Sequence, residues 1–123
     1  MNQPASAYFI EERHDPNETH TLADGMATRN PDPDALAIIL KGASRIVQVT
    51  DAEIAHAIRA LWSDTHNLAE GAGAASLAAA LQEKDRLKGK RVGLILSGGN
   101  IDFDLFRTWV MADGAVTGAT ALA

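Results

Sequence analysis

The sequence contains no cysteine, few aromatic residues and no apolar run long enough to span a bilayer. Without cysteine, neither a disulfide framework nor a thiolate metal site can form. Aromatic residues make up only 5% of the chain, whereas alanine is abundant, so we expect packing through close contacts between helices. The N-terminus has no apolar signal core, which, together with the missing cysteine, predicts a cytoplasmic protein without membrane contact.

The charge balance and the motif inventory exclude several further classes of protein. A net charge of -5 argues against nucleic-acid binding and against a membrane-binding basic patch. No two of the four histidines lie at metal-ligand spacing, so no metal site is predicted. The chain has no Walker loop, no G-x-S-x-G elbow, and no G-x-G-x-x-G motif after a strand.

The 123 residues have the length of one domain, and 46% of them are hydrophobic, which is enough for a core. Composition divides the chain into an irregular N-terminal segment (1–20), a domain (21–110) and a small, polar tail (111–123). Two helix starts are marked by caps. Asp32 precedes a helix that ends at Gly42, and Thr50 forms a capping box with Glu53. This second helix is predicted to run to about His66.

Two short apolar runs, residues 45–50 and 92–96, have the pattern of strands buried on both faces. Helical patterns alternate with them, which predicts an α/β fold with parallel strands and flanking helices. Two strands make a marginal sheet, so we expect a partial sheet whose edges pair with another chain.

Three short motifs remain as candidates for chemistry, and each has a structural alternative. Asp24 and Gly25 form a turn signal, and Glu70 opens an alanine-rich helix where a carboxylate stabilises the helix N-terminus. Ser97 follows the second predicted strand and precedes Gly98, Gly99 and Asn100. Ligands bind beyond the carboxyl ends of strands in open α/β sheets, but Ser97 could equally just end its strand.

Taken together, the motifs A-D-G-M-A, R-I-V-Q-V-T-D-A-E-I, E-G-A-G-A-A and V-G-L-I-L-S-G-G-N resemble a known family. They are similar in order and spacing to the C-terminal part of the large domain of fold-type II pyridoxal-phosphate enzymes, in the threonine/serine dehydratase and serine racemase group. The resemblance covers residues 19–106.

The resemblance implies a role for each matched residue. Ser97 would hydrogen-bond the pyridine nitrogen of the cofactor, and Glu70 would lie beside its ring and influence protonation. The loop formed by Gly98 and Gly99 would pass close to the ring. The pocket wall would be completed by Asp24, Gly25 and Asn100. The implied reaction converts a hydroxy amino acid into a 2-oxo acid and ammonia.

The sequence departs from this family in what it lacks. Nothing matches the family's Schiff-base lysine in its S-F-K-x-R-G type stretch, its glycine-rich phosphate loop or its cation site. The lysines of the domain lie in polar or terminal contexts: Lys41, Lys84, Lys88 and Lys90. We therefore expect the C-terminal piece of a dehydratase-like enzyme, arising from truncation, proteolysis or a split gene. It would have no catalytic residue of its own and, alone, would be inactive and bind no cofactor.

Two alternatives from other classes stay open. The chain could be a non-catalytic domain that self-associates through its exposed strand edges and forms a homo-oligomer. It could also be a small anion-binding module that holds a phosphate at Gly98 and Gly99. The second alternative is disfavoured because Asp102 and Asp104 place negative charge at the start of the following helix.

Overall fold

The computed structural model describes residues 21, 23–26 and 32–111. Within these residues the chain forms a short 3-10 turn at Asp24–Met26 and five α-helices: α1 (Pro33–Gly42), α2 (Asp51–Thr65), α3 (Gly71–Gln82), α4 (Lys84–Leu87) and α5 (Phe103–Met111). The predicted segment 1–20 and all but the first residue of the predicted tail 111–123 lie outside the described residues.

Local capping chemistry sets the starts of α1 and α2, as the sequence predicted. The Asp32 side chain accepts hydrogen bonds from the backbone N–H groups of Asp34 and Ala35, both at 3.0 Å. At α2 the Thr50 hydroxyl accepts from the Glu53 N–H at 3.2 Å, and the Glu53 carboxylate accepts from the Thr50 N–H at 2.7 Å. The capping box and both predicted helix starts are confirmed.

The core lies where α2 packs against α3 and α5. Among the described residues, its larger buried side chains are Ile54, Ile58 and Trp109, and the rest are alanines: Ala23, Ala55, Ala57, Ala69, Ala74 and Ala78. Small side chains let the backbones of neighbouring helices approach closely, in agreement with the composition. Trp109 is 1% exposed, and its carbonyl accepts a hydrogen bond from Arg59 Nε at 2.6 Å, which ties α5 to α2.

Helix α1 stands apart from this core. It has no buried residue and contacts no other helix in the described part of the chain. Its apolar residue Ile38 is 73% exposed. Within the described residues, its helical conformation is supported by the Asp32 cap and by local propensity rather than by packing.

The two predicted strands are not confirmed. Neither 45–50 nor 92–96 forms a ladder with any described residue, so the predicted sheet is not seen. The predicted burial of residues 92–96 on both faces is wrong, because Val92 is 45% and Ile95 80% exposed. A buried strand needs a neighbouring strand to pair with its backbone and a layer that covers its side chains. The described residues supply no pairing strand for either segment and leave residues 92–96 uncovered. No helix in the described ranges is long and apolar enough to cross a membrane.

Side chains of α3 contact both of these segments. Ser76 donates from Oγ to the Ile95 carbonyl at 2.9 Å, and Gln82 donates from Nε2 to the Gln48 carbonyl at 3.0 Å. Near the C-terminal end of α3, Arg45 donates from Nε to the Glu83 carboxylate at 2.9 Å. Helix α3 therefore holds both segments although they form no sheet with described residues.

Candidate functional site

The candidate site lies where the N-terminus of α3 meets the loop that follows residue 96. Glu70 is the N-cap residue of α3, and its backbone N–H donates to the Gly98 carbonyl at 3.1 Å. The Glu70 carbonyl accepts the first helical hydrogen bond, from Ala74 at 3.0 Å. The structure thus joins two motifs that are distant in sequence, E-G-A-G-A-A and S-G-G-N.

The contact between α3 and the loop leaves no room for side chains at two glycines. A Cβ atom on Gly73 would collide with the Gly98 carbonyl, and one on Gly98 would lie 2.5 Å from Glu70 Oε1. Real Cβ atoms do not approach other atoms this closely, so Gly73 requires glycine against the loop backbone, whereas a side chain at Gly98 would require the Glu70 carboxylate to move. Similarly, a Cβ atom on Gly99 would lie 2.6 Å from the Leu68 carbonyl oxygen. The loop backbone therefore lies directly against the start of α3.

The third sequence motif reaches the same place. A Cβ atom on Gly25 would lie 3.0 Å from Ala72 Cβ and 3.8 Å from Glu70 Oε1, so the 3-10 turn packs on the first turn of α3. Asp24 begins this turn, and its side chain lies outside what the structure describes. Asn100 is exposed at the far side of the glycine pair and makes no hydrogen bond with a described residue.

Ser97 offers a free hydroxyl beside this cluster. It is exposed, it immediately precedes Gly98, and it makes no hydrogen bond with any described residue. The Glu70 carboxylate likewise makes no hydrogen bond within the described ranges and lies at the N-terminus of α3. A hydroxyl and a carboxylate therefore lie close to the glycine loop at the start of α3.

Charged groups at the C-terminal end of α3 bind the segment 45–50. The Arg45 guanidinium donates to the Glu83 carboxylate and keeps the pKa of Glu83 below its ordinary value. The backbone N–H of Thr50, with help from Gln82, likewise lowers the pKa of Glu53. These groups lie at the opposite end of α3 from the candidate site and stabilise the structure around it rather than the site itself. The part of the chain that the structure describes contains no group of three or more His, Cys, Asp or Glu residues that could hold a metal ion.

Three contributors to this arrangement escaped the sequence reasoning. Gly73 and the Leu68 carbonyl pack against the loop, and Ser76 binds the Ile95 carbonyl. A G-x-G pattern at the start of a helix signals close approach of another backbone, and it could have identified Gly73. Nothing in the local sequence distinguishes Ser76 from an ordinary helix serine.

Comparisons with known proteins find a matching family model and several relatives. The family model described as "Pyridoxal-phosphate dependent enzyme" matches residues 2–98. The chain is 42% identical over 85 residues to an L-threonine ammonia-lyase of Thermotoga maritima, covering 69% of the chain and 21% of that relative. It is 34% identical over 93 residues to a serine racemase of Dictyostelium discoideum, covering 74% of the chain and 28% of the relative.

A third relative is also an ammonia-lyase. The chain is 34% identical over 94 residues to an L-threo-3-hydroxyaspartate ammonia-lyase of Saccharomyces cerevisiae, covering 76% of the chain and 29% of the relative. The chain thus spans between 21% and 29% of the length of these three proteins.

Proposed function

Because the chain belongs to the pyridoxal-phosphate dependent enzyme family, we propose that its α3–loop site is the ring-side wall of the cofactor pocket of a dehydratase-like enzyme. The observation that carries the proposal is the contact of the Glu70 and Gly98 backbones beside the free hydroxyl of Ser97. The substrate class is a hydroxy amino acid, which loses water and yields a 2-oxo acid and ammonia. This substrate class is supported by the similarity to two ammonia-lyases, one for L-threonine and one for L-threo-3-hydroxyaspartate.

In this proposal each residue has a limited task. Pyridoxal phosphate, when bound, supplies the electron sink for the reaction. The Ser97 hydroxyl would donate a hydrogen bond to the pyridine nitrogen as a neutral partner, so that nitrogen need not be protonated. The Glu70 carboxylate stands beside the ring, and its negative charge influences where protons reside nearby. Gly98 and Gly99, without Cβ atoms, leave room for the Glu70 carboxylate and the Leu68 carbonyl, and so keep the loop backbone against the start of α3 beside the ring.

In this proposal, the rest of the cofactor pocket is supplied by a complementary portion of protein. The chain spans less than a third of the relatives described above, and no stretch of it resembles the family's lysine motif or phosphate loop. We therefore assign the reactive amine and the phosphate cradle to a complementary portion of protein. Family membership supports the α/β class. Residues 45–50 and 92–96 would become strands when they pair with that portion, which would cover Ile95 and the other exposed apolar side chains.

A chimera tests this function directly. The 85 aligned residues of the Thermotoga maritima L-threonine ammonia-lyase are replaced by the matching residues of this chain. We expect the chimera to release ammonia from L-threonine with pyridoxal phosphate, and this chain alone to release none. In the chimera, Ser97→Ala should lower the rate about tenfold, since the loss of one hydrogen bond of about 1.4 kcal/mol is a factor of ten.

The matched control is Ser63→Ala, which removes an exposed serine hydroxyl of α2 that bonds only to its own helix in the described structure. It should leave the rate of the chimera unchanged. Turnover by this chain alone would refute the need for a complementary portion. A folded chimera in which Ser97→Ala and Ser63→Ala have equal rates would refute the cofactor role of Ser97.

A second candidate function is favoured by the exposure of residues 92–96. Ile95 is 80% exposed and Leu94 44% exposed, in a segment without ladder partners among the described residues. Such an edge pairs readily with another chain. A non-catalytic domain that self-associates through this edge would have the same surface, and its association would not require cofactor.

A further inference from the structure

The hydroxyl of Ser97 can serve a ligand only if the loop keeps its register relative to Glu70. A slip by one residue would present Leu96 or Gly98 at that position and remove the hydroxyl. In a sheet, ladder hydrogen bonds fix the register of a strand. Residues 92–97 make no ladder with described residues, so within this part of the chain the contacts with α3 fix the register.

Two hydrogen bonds bracket Ser97. On its C-terminal side the Gly98 carbonyl accepts from the Glu70 N–H at 3.1 Å. On its N-terminal side the Ile95 carbonyl accepts from Ser76 Oγ at 2.9 Å. Both partners belong to one rigid element, because Glu70 caps α3 and Ser76 lies within it, about 9 Å further along the helix axis.

We propose that Ser76 is a positioning residue that sets the register of Ser97 against Glu70 through the Ile95 carbonyl. Close packing at Gly73 holds the loop against the helix, but packing alone does not select which residue of the loop lies opposite Glu70. A directed hydrogen bond selects the register, because it needs one particular carbonyl within reach. The inference rests on the proposed function only for the role it gives to Ser97.

Amide hydrogen exchange on the full chain tests this inference without cofactor. Ser76→Ala frees the Ile95 carbonyl, so the loop should leave Glu70 more often. The exchange rate of the Glu70 amide, which bonds to Gly98, should rise about threefold to tenfold, as expected for the loss of one hydrogen bond. The amide of Ile54, which bonds to Thr50 at the start of α2, should change less than about twofold.

Two near-isosteric variants separate the hydroxyl from the packing. Ser76→Thr keeps a hydroxyl and should restore the native exchange rate at Glu70. Ser76→Val has the same shape without the hydroxyl and should exchange as fast as Ser76→Ala. If Ser76→Ala folds poorly, the comparison of Ser76→Thr with Ser76→Val still shows whether the hydroxyl controls exchange at Glu70.

The outcomes separate the two proposals. Unchanged exchange at Glu70 in Ser76→Val, or an equal acceleration at Glu70 and Ile54, would overturn the positioning role. Neither result would bear on ammonia release by the chimera, on which the proposed function depends. Conversely, an inactive chimera would leave the exchange result for Ser76 standing as a statement about the loop.

Discussion

At Gly73 the space that a side chain would need is filled by the carbonyl of Gly98. Glycine within a helix ordinarily costs about 1 kcal/mol relative to alanine, so Gly73→Ala would be stabilising if only helix propensity mattered. The collision reverses the sign. We expect Gly73→Ala to lower the free energy of unfolding by about 1–3 kcal/mol, as overpacked sites do, measured by urea denaturation.

Gly93→Ala is the matched control, because a Cβ atom there would meet nothing within 4 Å and the backbone conformation needs no glycine. Its free energy of unfolding should stay unchanged or rise by up to about 1 kcal/mol, through reduced freedom of the unfolded chain. Equal stability of the two variants would show that the loop does not lie against α3 as described.

Among the elements, α2 and α3 depend on carboxylates whose folded-state pKa values are depressed. The pKa of Glu53 is lowered chiefly by the Thr50 backbone N–H, and that of Glu83 by hydrogen bonds from Arg45. An acid with a depressed folded pKa adds stability above its unfolded pKa, about 4.3 for glutamate, and loses it as pH falls through the folded value. We expect the urea midpoint to fall as pH drops below about 4.3.

Glu53→Gln isolates the contribution of the capping box. Glutamine can occupy the same position and still accept the Thr50 N–H, but it does not titrate. The variant should therefore lose less stability between pH 6 and pH 3 than the wild-type chain. The same pH dependence in both proteins would mean that Glu53 is not stabilised by its contacts.

The elements also show which features of the sequence were readable. The caps at Asp32 and Thr50 were predictable, because the donors and acceptors lie within a few residues of each other. The conformation of residues 92–96 was not, because an apolar run becomes a buried strand only with neighbours that the run itself does not encode. The short helix α4 was missed, since four residues carry little periodicity.

For the site, the sequence indicated the parts through a family resemblance rather than through geometry. Glu70, Gly98 and Gly25 were singled out, and the structure brings them together. The task of Ser76 could not be predicted, because it arises only when Ile95, 19 residues away along the chain, lies against the helix. The role of Ser97 toward a cofactor stays a prediction.

On the scale of the whole molecule, the described residues form a small core around Trp109, with large apolar side chains left outside it. Trp109 packs against Gly71 at the start of α3 and accepts the Arg59 hydrogen bond from α2, so it joins three helices. Ile38 and Ile95, by contrast, are both more than two-thirds exposed. Of the two, Ile95 lies on an unpaired extended segment, where an exposed apolar side chain favours pairing with another polypeptide, whereas Ile38 lies on helix α1.

Ile95→Lys tests whether residues 92–96 are the surface through which the chain associates. We expect light scattering to show association of the wild-type chain and less association of the variant, because a lysine on a strand edge opposes pairing. Since Ile95 is 80% exposed, the free energy of unfolding should change by less than about 0.5 kcal/mol. Ile38→Lys, at another exposed isoleucine, should change neither quantity.

The size of the associated species then decides between the two candidate functions. A discrete dimer that Ile95→Lys dissociates would favour a self-associating domain, because a two-fold interface closes on itself. Open-ended association that Ile95→Lys suppresses would favour an edge that belongs against a complementary portion of protein, since nothing then closes the assembly. If Ile95→Lys and Ile38→Lys associate as the wild-type chain does, the surface lies elsewhere, and residues 92–96 lose their place in both proposals.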